Sequence, residues 1–336
     1  MCRAHGPTDL SRGLLELEAW LANDLAAVEA ELAALPRRGS VANAGAGHQL
    51  DLGGKLLRPM CVALAARLGR GFGAEAREMA VAVELMHNAT LLHDDVIDQA
   101  ELRRGAPAAR TVYGNAVSVL AGDWLLVEAL QRVHRYGDRD LLGLALDTID
   151  KMVAAEALQL ENRGRVNLDR ADYYRIINGK TAALFRWAMF AGASAGGLAS
   201  HHRTSLERFG LDLGVAFQLA DDLLDVAGDP AVTGKAAFAD LREGRINYPV
   251  LLALERDRLL RQEVERQLCG QADEPVPGSL CRRLQRRLIS TGSIEECRLL
   301  AREYADEAVA CLCSLPDGPG RSALATLAVV AADRDS

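Results

Sequence analysis

Residues 78–98 read EMAVAVELMHNATLLHDDVID, and residues 211–226 read LDLGVAFQLADDLLDV. Met79, Ala80, Val81, Ala82, Val83, Leu85, Met86, Ala89, Leu91 and Leu92 leave the first stretch apolar nearly all round. Leu211, Leu213, Val215, Ala216, Phe217, Leu219, Ala220, Leu223 and Leu224 do the same for the second. A helix without a polar face belongs in the interior, so the two stretches predict a pair of buried central helices. Around them Ala and Leu recur at three- and four-residue intervals, while aromatic residues make up only 4% of the chain, a usage that favours helix over sheet. The expected fold class is all-α.

Working outward, Leu14 to Leu32 predicts a first amphipathic helix, Pro36 to Gly54 a Gly/Pro-containing loop, and a further helix starts near Pro59, where proline is tolerated in the first turn. Breaks at Gly105 to Pro107, Asn162 to Asp169, Gly228 to Gly234 and Glu274 to Gly278 are too short for linkers. Residues 1–336 are therefore expected to form one helical domain, with 1–50 a variable N-terminal helix and loop. Hydrophobic residues at 49% and charged residues at 25% supply a large core and argue against disorder. Lys and Arg number 39 against 46 Asp and Glu, and the net charge of −7 gives no basic field for nucleic acid. The cysteines at 2, 61, 269, 281, 297, 311 and 313 have no CxxC or zinc spacing, and no stretch resembles a signal peptide or membrane span. A cytoplasmic protein with reduced thiols is expected.

Each apolar helix ends in DDxxD: Asp94, Asp95 and Asp98 in one, Asp221, Asp222 and Asp225 in the other. On a helix the first and last carboxylates stack one turn apart, and the middle one points about 100° away. Carboxylates crowded at the end of an apolar helix need a compensating cation, and an all-oxygen set suits Mg²⁺ shared with substrate phosphates. One such triplet could be a solvated helix end, but two on the two most apolar helices point to metal. Basic residues stand nearby in sequence: Lys55 and Arg58 follow the Gly53-Gly54 pair, Arg103 and Arg104 follow the first triplet, and Lys180-Thr181 and Lys235 lie in the second half. No P-loop spacing is present.

These segments, in order GGKLLRP, HNATLLHDDVID, RRG, YGNAVSVLAGDWL, GKTAALF, FQLADDLLD and TGKAAFADLREG, resemble the all-trans isoprenyl (polyprenyl) diphosphate synthases from about Gly53 to near the C-terminus. The resemblance implies a helical bundle around a deep central cavity, a homodimer, and an ionisation, condensation and elimination sequence. It implies that Asp94, Asp95, Asp98, Asp221, Asp222 and Asp225 hold several Mg²⁺ ions on an allylic diphosphate (dimethylallyl, geranyl, farnesyl or geranylgeranyl), with Asp221 facing the metal between the motifs. Lys180, Lys235 and Arg103 would grip that diphosphate. Lys55, Arg58, His87 and Arg104 would bind isopentenyl diphosphate, and Thr181 and Gln218 would turn dipoles toward the allylic carbocation. Where the family usually has Lys and Thr, this chain has Arg245 and Asn247, and Ala108 follows RRG in place of a frequent Thr.

Thr90, Ala89, Met86, Val83 and Ala82 share the helical face of Asp94. Short-chain members resembling farnesyl synthases carry an aromatic side chain at the positions of Ala89 or Thr90. Met86, about 12 Å below Asp94 at 1.5 Å per residue, is the first bulky side chain of the expected tunnel wall, which predicts a medium- or long-chain product. Alternatives are a farnesyl or geranylgeranyl synthase, a non-catalytic subunit of a heteromeric synthase, and a terpene cyclase. The intact motifs disfavour the subunit, and GGKLLRP and RRG disfavour the cyclase.

Overall fold

The computed structural model describes residues 7–167, 169–228, 237–269 and 278–333. The helices, in order, are α1 Pro7–Ala33, α2 Val41–Asp51, α3 Leu57–Arg67, α4 Ala74–Ile97, α5 Ala109–Tyr113, α6 Asn115–Tyr136, α7 Arg139–Asn162, α8 Arg170–Ile177, α9 Ala183–Ala195, α10 Ser200–Ala227, α11 Ala239–Arg242, α12 Tyr248–Arg256, α13 Arg258–Cys269, α14 Gly278–Ser290, α15 Ser293–Cys311 and α16 Pro319–Ala332. A π-helical turn, Asn178–Ala182, joins α8 to α9, and the only strands among the described residues are β1 Leu102–Arg103 and β2 Ala106–Pro107. The fold class is all-α, as the helical periodicity predicts.

Two compact units make up the chain: Met1–Asp147 with Leu184–Gly210 and Ser314–Ala323, and Thr148–Ala183 with Leu211–Cys313 and Leu324–Ser336. At the centre of the first is α4, whose Met79 to Val83, Leu85 and Met86 are closed off from solvent. It packs on α3 and α6. The face that α6 turns inward carries small residues, Ser118, Ala121 and Gly122, before Leu125 and Ala129. A Cβ on Gly122 would lie 2.3 Å from His93 Nε2, so the missing side chain is what seats that imidazole against α6. His93 also reaches the Val119 carbonyl (3.2 Å) and Asp123 Oδ1 (3.3 Å). Close approach recurs where α3 meets α9: a Cβ on Gly192 would stand 2.3 Å from the Val62 carbonyl oxygen. Helix α1 buries the Leu17, Leu21, Val28 and Leu32 stripe expected of an amphipathic helix.

Two stretches read as loops are ordered elements. Residues 41–51 form α2 despite two glycines, because Ser40 caps it by accepting from the Asn43 N–H (3.1 Å) and the glycines bring the helix close to its neighbours. A Cβ on Gly45 would sit 3.1 Å from Val117 Cγ1, and one on Gly47 2.4 Å from Arg37 Cδ. The Gly105 to Pro107 segment belongs to a hairpin whose turn residues, Arg104 (φ 54°) and Gly105 (φ 79°), both have positive φ. That is the backbone a two-residue β-turn of primed type requires.

In the second unit α12 is buried from Tyr248 to Leu254 and packs on α13, α14 and α15. The π-helical turn lies against α7, where Gly179 allows an approach that a Cβ would block at 2.4 Å from the Lys151 carbonyl oxygen. The predicted breaks at Gly228 to Gly234 and Glu274 to Gly278 lie largely outside the described residues.

Candidate active site

In the first unit, the loop before α3 turns at Gly53 (φ 67°) and Leu56 (φ 48°), with Lys55 exposed between them. Arg58, in the first turn of α3, spreads its guanidinium over the Phe185 ring, 4.7 Å from its centroid. Its Nε is buried with no hydrogen-bond partner, and burial lowers its pKa against the opposing pull of Glu84. From the hairpin turn, Arg104 lies over Gly54: a Cβ there would meet its guanidinium nitrogens at 3.0 and 3.1 Å. The second glycine of the GGK motif thus lets the Arg104 guanidinium lie close against the backbone, where a Cβ would push it back by a few tenths of an ångström.

His87 on α4 completes the group. Burial, then the charges of Arg58, Arg104 and Arg103, hold its pKa well below the ordinary imidazole value, so it is neutral at pH 7. One turn earlier is Glu84, a carboxylate sunk among these cations; Asn88 Nδ2 donates to its Oε1 at 3.0 Å, and Gln49 Nε2 donates to Asn88 Oδ1 at 3.3 Å. An excess of guanidinium and ammonium charge with an orphaned buried donor fits a polyanion such as diphosphate.

The first carboxylate triplet closes the C-terminal end of α4, where the helix dipole itself favours a cation. Asp94 and Asp98 are partly exposed, while Asp95 is 0% exposed, which is the one-in, two-out disposition that helical geometry sets. Asp95 Oδ1 accepts from Arg103 Nε at 3.0 Å and from the terminal nitrogen of the same guanidinium. Asp95 Oδ2 is buried without a partner. Arg103, expected to grip the allylic diphosphate, is thus engaged with the motif's own middle carboxylate.

In the second unit the same triplet closes the C-terminal end of α10. Asp221 is partly exposed and has no side-chain partner among the described residues. Asp222, expected as a metal ligand, is 3% exposed and saturated: its Oδ2 accepts from Tyr173 Oη (2.7 Å) and the Tyr248 N–H (2.9 Å), and its Oδ1 from Gln218 Nε2 (2.9 Å). Gln218 Oε1 in turn accepts from the Thr181 hydroxyl at 2.7 Å. Asp225, also expected as a ligand, accepts from the Ala239 N–H (2.7 Å) and Asn247 Nδ2 (2.9 Å). Burial, then the nearby Asp240 carboxylate, raises the pKa of both Asp222 and Asp225. Lys180, on the π-helical turn, is paired with Glu156 Oε2 at 2.5 Å and donates to Gln159 Oε1 at 2.7 Å. Lys235 lies outside the described residues.

The donor chemistry fits Mg²⁺: carboxylate oxygens only, at helix ends whose dipoles favour a cation. Among the described residues no three His, Cys, Asp or Glu side chains converge into a cage, and Mg²⁺ held by one or two carboxylates, waters and phosphates needs none.

The family model described as polyprenyl synthetase matches residues 41–276. The chain belongs to the polyprenyl synthetase family. That makes it an enzyme, a prenyltransferase of the polyprenyl diphosphate synthase type. This polyprenyl synthetase is 37% identical to the octaprenyl diphosphate synthase of Escherichia coli (strain K12), over 84% of this chain and 87% of that protein. It is 34% identical to heptaprenyl diphosphate synthase component 2 of Geobacillus stearothermophilus, over 96% of this chain and 99% of that one. A crystal structure of polyprenyl synthase from Caulobacter crescentus CB15, complexed with calcium and isoprenyl diphosphate, is similar at a TM-score of 0.86 and 36% identity, with 100% of both chains covered. No helix of the described residues is long and apolar enough to cross a membrane.

Several groups of the synthetase's site carry no motif. Glu84 is legible in retrospect as the only charge inside the apolar run 79–86. Glu156, Gln159 and Tyr173 give no such signal, because each meets its partner through the fold and not through sequence spacing.

Proposed function

We propose that this chain is an Mg²⁺-dependent, all-trans prenyltransferase that condenses isopentenyl diphosphate head-to-tail onto an allylic diphosphate to give a medium- or long-chain polyprenyl diphosphate. The observation that carries the reading is the cluster of Arg58, Arg103, Arg104 and neutral His87, a cationic site that includes the buried, unpartnered Arg58 Nε, with the exposed Lys55 three residues before Arg58 in the chain. Such a site suits the diphosphate of isopentenyl diphosphate. Asp94, Asp98 and Asp221, partly exposed where Asp95 and Asp222 are buried, would hold Mg²⁺ on the allylic diphosphate, with Arg103, Lys180 and Lys235 as its cationic partners. The metal supplies charge neutralisation of the departing diphosphate.

In the reaction the allylic C1–O bond breaks and diphosphate leaves with the electron pair. The double bond of isopentenyl diphosphate then attacks C1, and a proton at its C2 is lost to the released diphosphate. No protein base is required. Because the Thr181 hydroxyl hydrogen is spent on Gln218, the oxygen's lone pairs are left as the negative end of a dipole suited to a carbocation. Desolvation around the buried helices protects the cation from water. The single catalytic domain takes in both units and works as a homodimer; Val119, Leu120 and Val127 on α6, 39%, 52% and 51% exposed, supply an apolar stripe for a second copy. Cys61, Cys281, Cys297 and Cys313 carry no disulfide, which suits the cytoplasm.

The deciding experiment is incubation with isopentenyl diphosphate, farnesyl diphosphate and Mg²⁺, read by product mass with and without chelator. Chain growth that chelation abolishes supports the reading. A cyclic hydrocarbon would identify a cyclase, and diphosphate release only after adding a second protein would identify a heteromeric component, as the name of the Geobacillus stearothermophilus relative suggests.

A further inference from the structure

Helix α14 reads GSLCRRLQRRLIS, four arginines and no acidic residue, in a chain whose net charge is −7. Its Leu284 and Leu288, one turn apart, are buried against Leu260 and Val264 of α13 along a shared apolar seam. Two ion pairs, Arg283 with Glu263 and Arg287 with Asp257 (2.7 Å), hold the helices antiparallel and use up those arginines. Arg282 and Arg286, one turn apart on the outward face of α14, form no ion pair among the described residues, and neither do Arg258, Arg261 and Arg266 of α13. Against these five cations the described residues of the two helices set one carboxylate outside an ion pair, Glu265. The whole stretch 258–290, with Asp273 and Glu274 in the connection, still counts seven arginines against four acids. Beside the arginines two large aliphatic side chains face water: Leu259, 64% exposed, at the start of α13, and Ile289, 63% exposed, at the end of α14. These ends lie together, since Arg287 holds Asp257 and Arg256 donates to the Thr291 carbonyl at 3.0 Å. We propose that the outward face of the α13–α14 pair docks the protein on an anionic lipid bilayer, with Arg258, Arg266, Arg282 and Arg286 on phospholipid headgroups and Leu259 and Ile289 entering the boundary beneath them. The surface goes beyond the functional reading given above and rests on it only for its use: a long prenyl diphosphate is an amphiphile whose tail belongs in a bilayer.

Charge and composition select the occupant. Guanidinium groups pair with phosphate oxygens in a fixed fork, and clustered arginines are drawn to a negatively charged leaflet within a Debye length, ~8 Å at physiological ionic strength. The acidic remainder of the chain is repelled by the same leaflet, so the patch also sets which way the protein faces. A groove on a partner protein would need the apolar side of α14, and that side is already spent on α13. Single-stranded nucleic acid stacks its bases on aromatic side chains, and residues 258–290 contain no Phe, Tyr, Trp or His. A bilayer asks for neither: it takes arginine at the headgroups and an aliphatic side chain just below. With two aliphatic side chains and no free apolar helix face to insert, the attachment is reversible and salt-sensitive.

The test is sedimentation of the full-length protein, without substrates, with vesicles of phosphatidylcholine alone or of equimolar phosphatidylcholine and phosphatidylglycerol. Docking gives binding to the anionic vesicles roughly tenfold or more above the neutral ones, lost in high salt. Arg282→Glu/Arg286→Glu and, independently, Arg258→Glu/Arg266→Glu each lower it by roughly tenfold, Leu259→Ser/Ile289→Ser weakens it by about threefold or more, and Arg282→Lys/Arg286→Lys stays within about threefold of wild type. Arg38→Glu, an exposed arginine outside the patch, binds as wild type does. Circular dichroism and thermal unfolding establish that each variant is folded. Wild type that ignores the anionic vesicles, or both reversal variants binding as tightly as wild type, overturns the proposal; retention by a single-stranded RNA oligonucleotide but not by vesicles overturns it in favour of a nucleic-acid surface. Because vesicle binding is read without turnover, docking by a protein that makes no prenyl product sinks the functional reading alone, and product without docking sinks the surface alone.

Discussion

His87 and Asn247 show how much rides on single side chains. His87 is neutral because it is buried beside guanidinium groups, so the folded state binds its proton less readily than the unfolded chain does. Its contribution to stability is therefore complete above the ordinary value of 6.5 and is lost as pH falls below it. Wild type should lose up to about 1.4 kcal/mol more than His87→Gln for each pH unit below that value, measured by urea unfolding at two or three pH values. Asn247 stands where the family usually has Thr, and the structure explains why the exchange is tolerated: its Oδ1 caps α12 by accepting from the Val250 N–H at 3.3 Å, a task both residues perform. Asn also brings an amide that donates to Asp225. Asn247→Thr should keep the cap and lose that donor, whereas Asn247→Ala loses both and should cost about 2 kcal/mol in denaturant unfolding. Arg245, the other departure, is held by Asp240 at 3.0 Å and by Glu243, so its charge is compensated locally. At this scale the sequence revealed the charged positions but not their partners. Nothing in the order of residues announces that Lys180 meets Glu156 or that Tyr173 meets Asp222, because side chains 24 and 49 residues apart are joined by packing.

Among the elements, those with a strong period were readable and those that depend on neighbours were not. Helix α4 and the C-terminal part of α10 were predicted from residues that exclude any other place for them. Helix α2 was hidden by its glycines, which lower helix propensity but here allow close approach to Val117, Ala121 and Arg37. The hairpin was hidden by its shortness, and the π-helical turn by the absence of any sequence signal for it. Helix α4 also carries the expectation about product length. Ala89 and Met86 are each 1% exposed, and the Thr90 hydroxyl is spent on the His87 carbonyl at 2.8 Å. If this face is the tunnel wall, Ala89→Phe should shorten the main product by one or more isoprene units and Met86→Ala should lengthen it, read by mass spectrometry of the extracted prenols. Unchanged lengths in both variants would remove the wall from α4.

For the whole molecule, a net charge of −7 excluded a general attraction to anions but concealed a local one. Arg58, Arg103 and Arg104 are grouped by the fold around one neutral histidine and two buried carboxylates, Glu84 and Asp95. The exposed stripe on α6 makes a second statement at this scale: Leu120→Lys combined with Val127→Lys should shift sedimentation from dimer to monomer, while wild-type sedimentation as a monomer would dismiss the homodimer. The Lys180–Glu156 pair has a broader consequence. If Lys180 grips the allylic diphosphate as proposed, that diphosphate meets no bare ammonium and has to take the cation away from Glu156. Its gain on binding would then be the difference between two ionic contacts, and the returning carboxylate would help push out the inorganic diphosphate left after each addition. For an enzyme that discards one such anion for every five-carbon unit it adds, a resident competitor of this kind would make product clearance a built-in part of the cycle.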